Sequence, residues 1–419
     1  MKLKICGGVK EYGRACFLVE TAAHSLLLDA GVMKGNGVSG HQRWPLLTPD
    51  EIKALSGVFI THAHEDHTGA LPRLFDQGFR GDLYGTQLTE RYLLKSGLLS
   101  QEVMNRHWRS LEMISGDQHQ VCFHSFLVSW GANGHMPGSV WYTLKDSLHG
   151  KKLFYSGDFS CDSLLMRYQL PACRSYDMAI IDAAYGLDAF EQKNQLRLMM
   201  QLIDDKLAQG GRVLLPVPLQ GRGMDLLALL LSQIHRRRYT LAIDARLEKT
   251  LQESLQYPEW LRRNRIVDAQ HPATASHYLD RCLAEGSLCL FDDNPPFRIP
   301  DTPTVMLSAH GMMEDDLSQC IFQQLTGKDL VLLTGNQARN TFGYRLLNQT
   351  ETSLQGNAPS TRYIRYNVHL DIYQAAALAT KLQAKKWLPF HQKNRFELPI
   401  THHMHETLLD PNVGDVIRI

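Results

Sequence analysis

The chain has 419 residues, 44% of them hydrophobic, which is ample for a large core and too long for one ordinary domain. Its formal net charge of +1 gives no global basic signal for nucleic acid, although a local basic groove is compatible with it. The eight cysteines (6, 16, 122, 161, 173, 282, 289 and 320) include no Cys-x-x-Cys pair and read as reduced thiols of a cytoplasmic protein. The opening MKLKICGGVKEY lacks the apolar core of a signal peptide. The longest apolar run, Leu226–Leu231, is about a third of a membrane span, so no membrane is expected.

Leu3–Cys6, Cys16–Glu20 and Ser25–Asp29 read as short strands joined by Gly-containing turns. Asp29 closes the third strand. Thr48-Pro49-Asp50-Glu51 is a capping box with proline in the first turn, which predicts a helix to about Leu55. Gly57–Thr61 is short, apolar and β-branched, as in a buried strand. Then comes THAHEDHTGALP, Thr61–Pro72, in which His62, His64, Asp66 and His67 read H-x-H-x-D-H. Three imidazoles and a carboxylate so close together cannot all face one way on a strand, but they can converge from a tight loop. Thr68 is placed to cap a helix beginning near Gly69.

That loop has the chemistry of a metal centre. Neutral imidazole suits zinc, and carboxylate oxygens complete and charge-balance the site. Two histidines one residue apart can hold one ion, and the Asp-His pair can serve a second about 3.5–4 Å away. Asp29, at a neighbouring strand end, can orient a ligand histidine from behind.

Helical patterns follow at 87–98 and 101–113, then a strand at Val121–Trp130 that leads to Gly-Ala-Asn-Gly-His135. Lys152–Ser156 is a strand ending in Gly157-Asp158, and Met178–Ile181 ends in Asp182. Each of these strands is followed by histidine or aspartate, a pattern that packing alone does not produce. His135 is a third ligand candidate, and Asp158 can bridge two metals with its two oxygens.

THAHEDH, GHMPGSVWYTL and FYSGDFS resemble the successive metal motifs of the metallo-β-lactamase superfamily. Asp182 in IIDAAYG resembles acidic motif A of its β-CASP branch, which includes the cleavage and polyadenylation endonuclease, ribonuclease J and the Artemis and SNM nucleases. The resemblance implies a four-layer αββα fold (α/β class) with an inserted α/β cap. The expected parts are residues 1–188, the β-CASP cap at 189–362, and a return to the first domain at 363–419.

The middle of the chain suits such an insertion. Phe190–Gln209 reads as an amphipathic helix stopped by Gly210-Gly211, Arg212–Val217 as a strand, Met224–His235 as a helix and Tyr239–Ile243 as a strand. Val305–Ser308 and Leu330–Thr334 add strands, and the Pro-rich Asp292–Pro303 reads as a surface linker. Alternating strands and helices imply a parallel sheet. SAHGMMEDD and TGNQARNTFG resemble the cap's loops that face the cleft. His310, in the first of them, reads equally as a substrate contact or as an ordinary loop hydrogen-bonding group.

Tyr363–His369 then reads as a strand, Tyr373–Ala384 as a helix and Lys386–Phe390 as a strand ending at His391. His369 in YNVHLDIYQ and His391 in LPFHQKNRF resemble motifs B and C. They depart from the usual neighbours, with Asn367-Val368 for Ser-Ala and Gln392-Lys393 for Gly-Glu, while Asp371 matches. His402, His403 and His405 have no carboxylate or cysteine at ligand spacing and read as a solvated loop. Arg236-Arg237-Arg238 and Arg262-Arg263-Asn264-Arg265 read as solvated faces.

What the resemblance implies is a two-zinc phosphodiesterase for single-stranded RNA. His62, His64 and His135 would hold one ion, Asp66, His67 and His391 the other, and Asp158 would bridge them. Manganese and iron accept the same donors. Asp66 would also orient an attacking hydroxide, and His369, held by Asp182, would contact the phosphate or protonate the leaving 3′-oxygen. The products would carry 5′-phosphate and 3′-hydroxyl ends. Histidine rather than valine at motif C favours RNA over DNA. Two features favour endonuclease over 5′-exonuclease action: the short stretch after His391, unlike the long C-terminal domain of ribonuclease J, and the lack of Ser-Gly-His-Ala at motif B. The expected partners are RNA and, for the chain itself, a homodimer. A DNA nuclease of repair or defence and an inactive nucleic-acid-binding subunit are the alternatives. A small-molecule hydrolase would leave the cap, Asp182 and His369 without a role.

Overall fold

The structure is a computed structural model. It describes residues 1–33, 40–237, 239–262, 272–291, 298–348, 357–392 and 407–419. His402, His403, His405, Arg238, Arg263, Asn264, Arg265 and the first half of the 292–303 linker lie outside the described residues. The chain divides into two compact units. The first comprises Met1–Cys161, Tyr168–Ala189 and His369–Ile419, and the second Asp162–Arg167 and Phe190–Val368.

The first unit opens with β1 (Lys2–Gly7), β2 (Cys16–Glu20), β3 (Ser25–Leu28), β4 (Gly57–Phe59), β5 (Asp82–Gly85) and β6 (Trp108–Ser110). It continues with β7 (Gln120–Phe123), β8 (Phe126–Ala132), β9 (Val140–Asp146), β10 (Lys152–Tyr155) and β11 (Met178–Asp182). The second unit contributes β12 (Val213–Pro216), β13 (Thr240–Asp244), β14 (Leu288–Phe291), β15 (Thr304–Ser308), β16 (Leu330–Leu333) and β17 (Ser360–Tyr363). The chain then returns to the first unit with β18 (Trp387–Phe390) and β19 (Val416–Arg418).

Two sheets build the first unit, in the orders β19-β1-β2-β3-β4-β5-β6 and β18-β11-β10-β9-β8-β7. Side-chain alternation sorts each strand into two faces. Phe17 and Phe59 point from the first sheet onto Tyr155, Phe390, Phe123 and Tyr142 of the second, with ring centroids 5.1–5.6 Å apart. Their neighbours Cys16, Leu18, Val58 and Ile60 face outward against Ile52, Leu71, Leu74, Leu93 and Met104 of covering helices. On the far side, Phe154, Ala179, Ile181 and Trp387 pack under Ile372, Ala375, Ala376 and Ala379 of the helix Ile372–Lys381. Helix, sheet, sheet and helix therefore form four layers of an α/β fold. Among the described residues no helix is long and apolar enough to cross a membrane.

The second unit is one parallel sheet, β14-β13-β15-β12-β16-β17. Both faces are apolar, as parallel strands require. Val213, Leu215, Leu241, Ile243, Val305 and Leu307 pack against helices Gln192–Ala208, Arg222–Arg237 and Ala245–Leu255. Leu214, Ala242, Met306 and Val331 pack on Ile321 and Leu346. Buried Asp225 ties its helix to the short crossing segment, accepting from Ser163 Oγ (2.9 Å), Leu165 N (2.7 Å) and Tyr366 OH (2.8 Å). His310 Nδ1 accepts from Glu314 N at 3.1 Å, which is the loop hydrogen-bonding alternative.

Several elements differ from expectation. The 101–113 helix is interrupted by β6, because Trp108–Ser110 pairs with β5. The strand expected at 121–130 is a hairpin, β7 and β8, turning at His124, whose φ is +51°. The strand expected at 363–369 ends at Tyr363. Beyond it Asn367 N donates to the Gln192 side chain at 2.9 Å rather than to a strand.

Candidate metal centre

The site lies at the C-terminal strand ends of the first unit. After β3 the chain turns at Asp29, whose φ is +56°. Its carboxylate is fully buried and accepts from Thr61 N (2.7 Å), Thr61 Oγ1 (2.8 Å), Tyr155 OH (2.6 Å) and His67 Nδ1 (2.7 Å). After β4 the loop carries His62 and His64, and a helical turn, Glu65–Thr68, carries Asp66 and His67. Helix formation thus starts earlier than expected. Thr68 does not cap the next helix; its hydroxyl donates back to His64 O at 2.9 Å.

Asn133 and His135 follow β8. Asn133 Nδ2 donates to Val140 O (3.1 Å) and Ser156 O (3.2 Å), and its oxygen accepts from His135 N (3.3 Å). This buried amide joins three strand ends behind His135. Sequence reasoning passed over it, and its place in Gly-Ala-Asn-Gly-His was the available signal. Gly157, at φ +54°, turns the chain after β10 to present Asp158; a Cβ there would stand 2.9 Å from Thr61. Asp182 ends β11, and His391 follows β18 at φ +69°.

The candidate ligands converge into two overlapping groups. In the first, His62 Nε2 and His135 Nε2 lie 3.0 and 3.2 Å from His64 Nδ1, and each lies 3.6 Å from Asp158 Oδ2. In the second, Asp158 Oδ1 is 3.0 Å from His67 Nε2 and 3.2 Å from His391 Nδ1, while His391 Nε2 is 3.3 Å from Asp66 Oδ2. Asp158, Asp182, His369 and His391 also present donor atoms within 4.8 Å of one another, so Asp182 and His369 border the second group. His369 Nδ1 donates to Asp182 Oδ2 at 3.0 Å, and Asp182 also accepts from Phe159 N and Ala184 N, each at 3.0 Å.

Hydrogen bonding sets the ring tautomers. Thr61 Oγ1 gives its proton to Asp29, so its lone pair accepts His62 Nδ1–H at 3.0 Å and leaves His62 Nε2 bare. Asp29 takes the Nδ1 proton of His67 and leaves that Nε2 facing Asp158. Burial works against a charge on His62 and, with the repulsion of His67, holds its ring well below the usual range. Burial opposes a charge on His67 as well, yet Asp158 and Asp29 lift it to about 10. His391 is raised in the same way by Asp158 and Asp66, against its burial. Burial pushes the Asp158 carboxyl up, but His67, His391 and His369 hold it well below the carboxylate range.

These donors fit divalent cations. Zinc–nitrogen bonds of about 2.0–2.1 Å in a tetrahedron set neighbouring donors roughly 3.3 Å apart, which matches the first group. In the second, His67 Nε2, Asp158 Oδ1 and His391 Nδ1 are buried and make no hydrogen bond. Acceptor atoms this close need a positive charge among them, and a cation supplies it in place of ring protons.

Comparison with known proteins agrees with this geometry. Residues 9–161 match the family described as Metallo-beta-lactamase superfamily. This part of the chain is a metallo-β-lactamase domain. Over most of its length the chain is similar to Cleavage and polyadenylation specificity factor 73 of Drosophila melanogaster, at 26% identity over 90% of this chain and 57% of the relative. It is also similar to Endoribonuclease YSH1 of Candida albicans, at 23% identity over 92% of this chain and 48% of the relative. Ribonuclease TTHA0252 of Thermus thermophilus is 28% identical over 56% of each chain. Two of these relatives are named as ribonucleases and one as a cleavage and polyadenylation factor. The chain spans about half the length of the curated relatives it matches. A crystal structure of a protein of unknown function from Enterococcus faecalis shares the fold, with TM-score 0.62 and 11% identity over 99% of both chains.

Proposed function

We propose that the protein is a two-zinc phosphodiesterase that cleaves single-stranded RNA internally, leaving 5′-phosphate and 3′-hydroxyl ends. The observation that carries this reading is the trio of buried atoms without hydrogen bonds, His67 Nε2, Asp158 Oδ1 and His391 Nδ1, beside the converging nitrogens of His62, His64 and His135. The names of the relatives supply the substrate class.

In this reading His62, His64 and His135 hold one ion, Asp66, His67 and His391 hold the other, and Asp158 is shared. Bound there, two cations supply positive charge for a phosphate and a nucleophile near neutral pH. The remaining work falls to the chain. Asp29 fixes the His67 tautomer. Asp66 orients the attacking water. Asp182 holds Nδ1–H of the His369 imidazolium, whose Nε2–H passes to the departing 3′-oxygen. A homodimer and a cytoplasmic site of action complete the proposal.

The test is digestion of 5′-labelled single-stranded RNA and DNA of one sequence with zinc or manganese, using wild type, Asp66→Ala and His369→Ala. RNA cut into a ladder by wild type alone is the expected result. Cleavage of DNA only would replace the reading with a DNA nuclease. Cleavage of neither, by protein carrying two metals, would overturn it.

A further inference from the structure

The loop between β1 and β2 is fastened to the backbone of two candidate ligands. His391 N donates to Gly8 O at 2.7 Å, and Ala15 N donates to Asp66 O at 2.8 Å. Within the loop, Gly8, Lys10, Gly13 and Arg14 all hold positive φ. Glu11 braces that backbone, accepting from Gly8 N at 2.8 Å and from Arg14 Nε at 2.6 Å. Lys10 Nζ ties the loop to Asp410, in the segment before β19, at 2.9 Å. A backbone so constrained presents its tip residue in one place.

That residue is Tyr12. Its hydroxyl donates to Ala184 O at 2.6 Å, and its ring stands edge-on to His391 with centroids 5.8 Å apart and planes at 70°. Yet the residue is 44% exposed. Tethering at the hydroxyl removes rotamer freedom before any ligand arrives, so a flat group that stacks there meets a pre-set surface. A nucleotide has such a group, and in an unpaired strand the faces of its bases are open to aromatic side chains.

We propose that Tyr12 stacks on a base of a nucleotide flanking the scissile phosphate, and so helps to select unpaired strands. The inference rests on the phosphodiesterase reading and names the residue that would read the substrate beside the phosphate. Tyr12 carries no proton in the reaction. Its contribution is to substrate binding and to placement of the phosphate.

The test uses the full-length, metal-loaded protein and a single-stranded RNA cut at one position. Wild type, Tyr12→Ala, Tyr12→Phe and Tyr12→Trp are compared on that RNA. The comparison is repeated on a series in which each nucleotide near the cut is made abasic in turn. The expected result is a KM raised about tenfold for Tyr12→Ala, with kcat little changed and with Phe and Trp raised less than Ala. At one abasic position the difference between wild type and Tyr12→Ala should vanish. Equal KM for Tyr12→Ala and wild type would overturn the proposal. So would a Tyr12→Phe defect as large as that of Ala, which would make the hydroxyl tether the whole role. A Tyr12→Ala defect that persists at every abasic position would overturn it too. Cleavage by wild type with any of these results leaves the phosphodiesterase reading standing. No cleavage by wild type overturns both.

Discussion

Replacing Asp29 by asparagine tests whether a residue that touches no metal position sets the affinity of the site. The carboxylate meets four donors: Thr61 N at Oδ1, and Thr61 Oγ1, Tyr155 OH and His67 Nδ1 at Oδ2. Asparagine has one acceptor oxygen. Its best placement puts that oxygen at the Oδ2 position and turns the amide toward Thr61 N, leaving a buried N–H unpaired at a cost of about 1–3 kcal/mol. The opposite flip strands three donors and costs more. In either case His67 loses the negative charge behind its ring, and the nitrogen facing Asp158 becomes a poorer donor. Removing such a partner typically weakens metal binding by about 10–100-fold. Chelator competition on purified wild type and Asp29→Asn, with metal content measured alongside, reads the affinity, and thermal denaturation of the metal-free proteins reads the packing cost. Two zinc ions held as tightly by Asp29→Asn as by wild type would refute the argument that Asp29 prepares His67.

Other predictions draw on separate parts of the molecule. Asp182→Asn should lower kcat for RNA about 10²-fold or more while two metals remain bound, because it leaves His369 without its carboxylate partner; loss of metal in step with activity would contradict that role. Gly31→Ala would drive a Cβ to 1.6 Å from Asp66 O, so the loop bearing Asp66 must move. A loss of about 4 kcal/mol or more is expected in denaturant unfolding. Burial pushes Asp225 up to about 6 despite hydrogen bonds from Tyr366, Leu165 and Ser163. The folded state holds this proton more tightly than the unfolded state does. Its stabilising contribution is therefore complete below the unfolded carboxylate range and is lost as pH rises through about 6. Wild type should lose about 3 kcal/mol relative to Asp225→Asn across that window, read from unfolding midpoints at a series of pH values.

Much of this was legible in the chain because ligand chemistry and strand pattern coincide. Val58, Phe59 and Ile60 announce a buried strand, and His62 through His67 follow at once. Tyr155 and Ile181 similarly precede Asp158 and Asp182. Thr48 and Glu51 close their capping box as the sequence implies. What escaped notice lacks a local signal. The β7–β8 turn uses His124 and Ser125 where glycine or asparagine is usual, so two strands read as one. β6 is three residues that hydrogen-bond only because β5 lies beside them. Asn133 is an ordinary polar loop residue until strand ends distant in sequence bring Val140 O and Ser156 O to its amide. Tyr12 sits in a Gly-rich turn, and its neighbours Ala184 and His391 are far along the chain.

The interrupted path of the first unit bears on the order of assembly during synthesis. His62, His64, His135 and Asp158 have all been translated before any of β12–β17 exists. β18 and β19, by contrast, emerge after the whole second unit, and each completes the edge of a sheet, against β11 and β1 respectively. Until then both sheets expose an open strand, a hazard for a nascent chain. His391 arrives only with β18. A ribosome-bound chain could thus load a cation at the first group of donors while the second waits for the last strands, so that metal acquisition would report how far the protein has been made.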